Sequence, residues 1–374
     1  MRFETLAVHA GHAIDPTTGS VAAPLYLSTT FARDPEGVPL GGHTYVRESN
    51  PTQSQLEEAL ASLEGGQAAL VFASGMAAGI ALLQSLPPGS HVLLPDDAYY
   101  GFRVAGEEIL PNWGIRAELI AMDDLAALEA AIRPETRLVW MESPSNPLLK
   151  VVDIAAVARL AREAGALSVI DSTFATPALQ RPIELGVDVV LHSMTKYFGG
   201  HSDVQGGALV FARQDALVER IDHLRHITGG VASPFNSWLV LRGLRTLPCR
   251  MAAQSANALA VARALEGNPA VARVHYPGLE SHAGYEIARR QMSGGFGAML
   301  SLQTSGGLEA ALRAVSRARL FTRATSLGGV ESLIEHRATS EGPSSRTAQD
   351  LIRLSIGLEH PDDLIADLEQ ALAG

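Results

Sequence analysis

Short apolar runs separated by helix-patterned stretches govern what this chain can fold into. The runs are AALVFA (68–73), HVLLP (91–95), RLVWME (137–142), LSVID (167–171), DVVLHS (188–193) and GALVFA (207–212). Each is continuously apolar rather than alternating, as a strand buried on both faces must be. Between them lie segments such as DIAAVARLAREAG (153–165), an amphipathic helix stopped by Gly165. Doubly buried strands separated by helices predict an α/β fold with a mostly parallel sheet in a large domain. Ligands of such sheets bind beyond the carboxyl ends of the strands.

The flanking regions have a different texture. Within residues 1–50, Pro16, Pro24, Pro35 and Pro39 with Gly19, Gly37, Gly41 and Gly42 break any helical period. Tyr26, Phe31 and Tyr45 nevertheless give the segment apolar surface, so it reads as an arm packed on another subunit. Residues 51–236 read as the large domain, opening with a helix that carries Leu56, Leu60 and Leu63 and ends at Gly65-Gly66. The stretch SWLVLRGLRTLPCRMAAQSANALAVARALEG (237–267) is helical in pattern, interrupted at Gly243 and Pro248, and predicts a link between domains. Strand-like VARVHYP, GAMLSLQT and LIRLSIGLE then alternate with helical GLEAALRAVS and PDDLIADLEQALA, which predicts a smaller α+β domain over 237–374. The polar segment HRATSEGPSSRTAQ (336–349) reads as an exposed loop.

Composition excludes several classes. With 374 residues, 47% of them hydrophobic and 18% charged, the chain is neither disordered nor a small disulfide-stapled module. The balance of 29 basic and 40 acidic residues, 29 − 40 = −11, with no basic run, argues against nucleic acid. No apolar stretch is long enough for a membrane span, and MRFETLAVHAGH lacks a secretory pattern. The single cysteine, Cys249, fits a reducing cytoplasm. His9 and His12 form only an H-x-x-H, without HExxH or CxxC, so no metal is expected.

Five segments fall at or just after strand ends: FASGMAA (72–78), DDAYYG (96–101), MESPSNP (141–147), IDSTFATP (170–177) and LHSMTKYFGGHSD (191–203). Ser74-Gly75-Met76 opens a helix whose bare N–H groups suit a phosphate, or forms an ordinary strand-to-helix turn. Asp171 ends a buried strand and needs a partner: a protonated ring nitrogen, a helix cap or an arginine. Lys196 leaves another buried strand between Ser193 and Thr195, a setting for a depressed pKa and a Schiff base. Phosphate cradle, aromatic ring (Tyr100), buried acid and reactive lysine together are what pyridoxal phosphate requires.

On these residues the chain resembles the Cys/Met-metabolism pyridoxal-phosphate enzymes: cystathionine γ-synthase, cystathionine β- and γ-lyases, methionine γ-lyase and homoserine sulfhydrylases. The resemblance runs from TLAVHAGH to LIRLSIGLEHPDDLIADLEQAL and is carried most specifically by HSMTKYFGGHSDVQGG, SPFNSWLVLRGLRTL and SLGGVESLIEH. It implies fold type I, with an arm, a cofactor domain and a C-terminal domain, and a homotetramer of two catalytic dimers. It implies that Lys196 holds the cofactor aldehyde and moves protons, Asp171 holds the pyridine nitrogen and Tyr100 stacks on the ring. Gly75, Met76, Ser193 and Thr195 would bind the phosphate. Tyr45 and Arg47, in HTYVRESNPT, would reach the neighbouring subunit's phosphate, with Tyr45 or Tyr100 aiding proton traffic. Asn146 would touch the ring hydroxyl and the substrate, and Arg353 would hold the α-carboxylate, helped by Ser326.

Three departures mark the substrate side. Thr325 stands where the glutamate-bearing γ-synthases and γ-lyases read the substrate's far amino group. Gly101 is followed by Phe102 and Arg103 in place of a small residue and threonine, with Arg103 read as a surface helix residue ahead of a hook for a distal anion. After SLIEH the chain runs Arg337-Ala338-Thr339-Ser340 rather than into the usual Pro-Ala-x-Met-Thr-His, which makes Arg337 a candidate reader of a distal carboxylate. The segments SLGGVESLIEH and YPGLESH place cystathionine γ-lyase first among the activities. γ-Replacement, methionine γ-lyase, cystathionine β-lyase, a fold-type-I aminotransferase and a cofactor-binding protein without turnover are the alternatives.

Overall fold

The computed structural model describes residues 1–374 apart from Ala13, Ser344 and Gly374. The sequence runs form strands β1 (Ala68–Phe72), β2 (His91–Pro95), β4 (Thr136–Glu142), β5 (Leu167–Asp171), β6 (Val189–Ser193) and β7 (Gly207–Phe211). One further strand, β3 (Arg116–Ile120), escapes the apolar pattern because it lies at the sheet edge and carries Arg116 and Glu118. The sheet order is β1-β7-β6-β5-β4-β2-β3. Pairing is parallel from β6 to β3, while β7 runs antiparallel to both β1 and β6.

Alternate residues of each strand face different cores. In β4, Leu138 and Trp140 join the cluster built on the helix Gly75–Gln84. Val139 and Met141 join a larger cluster containing the helices Pro51–Glu64 and Ile154–Glu163. Both sheet faces are therefore dry, which is why the strands read as unbroken apolar runs. Glu142 pairs in register with Asp171, and Asp171 with Leu191, so the carboxyl ends of β4, β5 and β6 share one edge.

The second sheet contains β8 (Val271–His275), β9 (Met299–Thr304), β10 (Thr322–Arg323), β11 (Leu333–His336) and β12 (Leu351–Ser355). Its order is β10-β11-β12-β9-β8, antiparallel except for β10 with β11. The expected long helix is two, Pro234–Leu244 and Leu247–Glu266. Pro248 does not interrupt the second helix. It sits in its first turn, where a missing N–H breaks no intrahelical bond.

Two expectations about irregular segments need correction. Residues 1–50 begin with a helical turn, Phe3–His9, before the irregular stretch. The segment 336–349 is not simply an exposed loop, because Arg337–Glu341 is helical and His336, Arg337 and Ala338 are buried. Arg337 pairs with Glu335 and Glu341, which compensates its burial. Among the described residues, no helix is long and apolar enough to cross a membrane.

Candidate active site

A cavity of about 440 Å³ opens where the carboxyl ends of β4–β6 face the second sheet. Lys196 enters it from the turn after β6, where its C=O accepts from the Gly200 N–H at 2.8 Å. Its Nζ donates to Ser326 Oγ at 2.6 Å. Burial, reinforced by the Arg353 charge, lowers the amine pKa to about 8.

Asp171, the last residue of β5, lies buried on the cavity wall and accepts the Thr173 backbone N–H at 3.0 Å. Burial raises its pKa. It makes no ion pair with any described residue, so the fold holds a buried acid that lacks a bonded cation.

Ser74 caps the helix Gly75–Gln84 by accepting from the Ala77 N–H at 3.1 Å. The N–H groups of Gly75 and Met76 open that helix at the cavity wall. Ser193 faces them so closely that a Cβ on Gly75 would meet its side chain at 3.2 Å. Thr195 Oγ1 accepts the Gly206 N–H at 3.1 Å and donates to the Gly206 C=O at 3.3 Å.

Tyr100 and its neighbour Tyr99 both line the cavity. A Cβ on Gly101 would meet Met76 Sδ at 2.7 Å and the Tyr99 ring at 2.9 Å, which sets that ring beside the helix start. The Tyr99 N–H donates to Glu142 Oε2 at 2.8 Å. Burial and the nearby Asp171 charge push the Glu142 carboxyl well up. The Tyr100 ring instead faces Arg103, whose guanidinium carbon lies 5.7 Å from its centroid. Arg103 is buried, which corrects its reading as a surface residue.

The second sheet supplies the opposite wall. Arg353, in β12, is buried, and burial lowers its pKa to about 10. Its Nη1 donates to Asn146 Oδ1 at 2.8 Å and its Nη2 to the Ser326 C=O at 3.1 Å. Nη2 also forms an ion pair with Glu335 Oε1. Ser326 is left-handed at φ 78°, and Gly328 at φ 81° passes over the lysine loop, where a Cβ would stand 2.8 Å from the Tyr197 nitrogen. Thr325 lines the cavity as a neutral group.

Lys196, Asp171, Tyr100, Gly75, Met76, Ser193, Thr195, Asn146, Arg353, Ser326 and Thr325 thus share one cavity. Tyr45 and Arg47 do not reach it within the same chain. Arg47 Nη1 donates to the His226 C=O at 2.8 Å, and its guanidinium carbon lies 5.5 Å from the Tyr45 ring centroid. The sequence reading missed Tyr99, Glu142, Gln205, Ser340 and Glu341 as lining residues. Glu142 was findable as a carboxylate ending a buried strand, whereas Ser340 and Glu341 sit in a polar stretch without a signal.

These residues fit pyridoxal phosphate. A buried acid without a cation suits a protonated pyridine nitrogen, a lysine with a lowered pKa suits an aldehyde, and open helix N–H groups suit a phosphate. The family model described as Cys/Met metabolism PLP-dependent enzyme matches residues 4–373. The chain belongs to this family. It is 49% identical to cystathionine γ-synthase of Mycobacterium tuberculosis H37Rv over 98% of its length and 96% of the relative's. It is 44% identical to cystathionine β-lyase of Lactococcus lactis subsp. cremoris, covering 99% and 98% of the two chains. Among solved structures, cystathionine γ-lyase from Lactobacillus plantarum complexed with L-serine aligns with a TM-score of 0.95 at 41% identity, covering 100% and 99% of the two chains. The protein is therefore a pyridoxal-phosphate-dependent enzyme of the cystathionine γ-synthase, β-lyase and γ-lyase group.

Proposed function

We propose that the enzyme catalyses γ-replacement, joining an activated homoserine ester to a thiol amino acid. The γ C–O bond breaks and a γ C–S bond forms; the acyl group leaves as a carboxylate, and the thiol proton is released. Neutral Thr325 on the cavity wall leaves replacement and elimination alike without the glutamate that reads a far ammonium, so whole-chain likeness carries the reading. The 49% identity to a cystathionine γ-synthase over nearly the whole chain supports it.

Bound pyridoxal phosphate supplies an electron sink that lets protons leave the α- and β-carbons of an amino acid. Lys196 would hold the cofactor and would move protons at Nζ, with Ser326 Oγ as its resting partner. Asp171 would keep a positive charge on the ring nitrogen. The Gly75 and Met76 N–H groups, with Ser193 and Thr195, hold the phosphate. Tyr100 would stack on the ring, beside Tyr99, whose backbone Glu142 fixes. Arg353, oriented by Asn146, takes the α-carboxylate. Tyr45 and Arg47 complete the site of a neighbouring subunit, within a homotetramer built from catalytic dimers.

γ-Elimination of cystathionine, which the sequence alone puts first, is the second reading. The likeness to the L. plantarum cystathionine γ-lyase favours it. Incubation with homoserine esters plus cysteine, and separately with cystathionine alone, decides between them. Cystathionine formed faster from the first mixture than 2-oxobutanoate from the second supports replacement, and the reverse order overturns it.

A further inference from the structure

A second cavity, of about 580 Å³, is walled by His91 of β2, by edge strand β3 and by the helical stretch that follows Tyr100. It shares no lining residue with the active cavity. Arg103 is 8% exposed and lines this second cavity, not the first. Its guanidinium faces the Tyr100 ring, and among the described residues it has no hydrogen-bond or ion-pair partner. A buried guanidinium normally stands against carboxylates or carbonyls, because its five N–H donors lose water on burial. Arg225 follows that rule in the same domain, bonding Glu57, Asp222 and the Val71 C=O. Arg103 keeps its donors for what enters the cavity.

The remaining charges narrow the class of ligand. Arg133 Nη2 donates to Glu118 Oε2 at 2.5 Å, and Glu107 Oε1 accepts from Arg346 Nη2 at 3.0 Å. His91 Nδ1 meets Thr136 Oγ1 at 2.9 Å, and burial lowers its pKa, so the ring is neutral near pH 7. Arg116, exposed on β3, has no ion-pair partner among the described residues. With Arg133 and Glu107 paired off, Arg103 and Arg116 are left as uncompensated charges on one cavity, and a dianion matches them. The backbone beside Arg103 is also unusual. Tyr100–Val104 is α-helical, but Ala105–Ile109 continues as a π-helical turn, a wide turn frequent at functional sites, and it brings Gly106 and Glu107 to the cavity wall.

We propose that this cavity is a second binding site, for a dianionic phosphate group, with Arg103 as its buried fork and Arg116 as its outer charge. A guanidinium takes two phosphate oxygens in parallel N–H···O bonds, and the tetrahedral group keeps a further oxygen for a second cation. The volume leaves room for the organic part of a phosphate monoester. Arg103 lies three residues beyond Tyr100 on one helix face, so the bound group sits behind the Tyr100 wall and outside the active cavity. The site does not depend on which reaction the active cavity performs.

The test is calorimetric titration of holoenzyme, so that cofactor occupies its own phosphate site. Inorganic phosphate and glycerol 3-phosphate are titrated at low salt and about pH 8, where a monoester with a second pKa of about 6 is a dianion. At least one should bind, and Arg103→Met should weaken that binding about 10- to 150-fold, the loss of one charged contact. Arg103→Lys, which keeps the charge without the fork, should fall between. Arg116→Gln should weaken binding about two- to fivefold and flatten its salt dependence. In phosphate-free buffer Arg103→Met should melt no earlier than the parent, because it deletes an uncompensated buried charge. A lower Tm with unchanged phosphate affinity would mark Arg103 as a packing residue and overturn the site. So would the absence of Arg103-dependent binding of either phosphate. Succinate bound as tightly, with the same dependence on Arg103, overturns the phosphate class. Should Arg103→Met fail to fold, parental affinity in both Arg103→Lys and Arg116→Gln overturns the proposal.

Discussion

Lys196 and Ser326 meet across the cavity, Nζ donating to Oγ at 2.6 Å, and so join the loop after β6 to the chain that precedes β11. The contact holds the amine in a buried setting, where its pKa falls to about 8 rather than the ordinary lysine value near 10.5. Only the neutral amine attacks an aldehyde. In cofactor-free protein the rate of cofactor attachment should therefore rise with pH, about tenfold per unit below the pKa, and level off above about 8. Stopped-flow absorbance after mixing with pyridoxal phosphate measures this, and an inflection near the ordinary lysine value would contradict it. Lys196→Ala should show no attachment signal and lose about 10²–10⁴ in turnover.

Asp171 yields a prediction with two opposite signs. Burial raises its pKa, so its ionised form costs cofactor-free protein stability at neutral pH. That cost is present above the unfolded carboxylate pKa and fades as pH falls through the raised value. Asp171→Asn removes the charge while preserving the shape. Cofactor-free Asp171→Asn should be at least as stable as the parent at pH 7, by urea unfolding. Its cofactor affinity should fall about 10- to 150-fold, since a charged hydrogen bond contributes about 1.5–3 kcal/mol. Weaker cofactor binding accompanied by an equally weakened apoprotein would instead mark Asp171 as a structural residue.

Doubly buried β1, β2 and β4–β7 were legible because their residues are mainly apolar, with only isolated polar ones such as Ser168 and His192, and the acid, lysine and glycine groups at their ends could be read with them. Edge strand β3 and β11, whose sequence is LIEH, were hidden because each carries two polar residues in a short span. Arg103, read as a surface residue, and the segment 336–349 that holds Arg337, read as an exposed loop, were misjudged for a related reason. Charge in a sequence signals exposure, and only tertiary structure sets a Tyr100 ring beside one guanidinium and Glu335 with Glu341 beside the other. The neighbouring tyrosines 99 and 100 could not be separated by pattern, because the short helix Tyr100–Val104 decides which ring lies by Met76.

Gly328 is fixed by both conformation and space. Its φ is 81°, and a Cβ would stand 2.8 Å from the Tyr197 nitrogen and 3.0 Å from the Lys196 carbonyl carbon. Gly328→Ala must displace backbone that carries the reactive lysine. A loss of about 1–3 kcal/mol in unfolding free energy is expected. A larger effect should appear in turnover, because Ser326 lies two residues away. Thermal denaturation and steady-state rates on one preparation check this, and a variant with parental stability and rate would show that the loop has room to yield.

The arm is best tested by complementation. Val21, Leu27, Val38 and Leu40 stand exposed, and Arg47 lies outside the cavity of its own chain, donating instead to the His226 C=O. If Arg47 serves a neighbour's phosphate, Arg47→Ala and Lys196→Ala damage a site from opposite chains. A mixed dimer of the two then holds one site with both defects and one with neither. Random reassortment makes about half of the dimers mixed, so activity should recover to about a quarter of the parental value. Each variant alone should stay well below that level, with Arg47→Ala also releasing cofactor faster on dilution. Recovery is measured after mild dissociation and remixing. If the remixed pair performs no better than the average of the separate variants, Arg47 acts within its own chain, and the arm packs for stability alone.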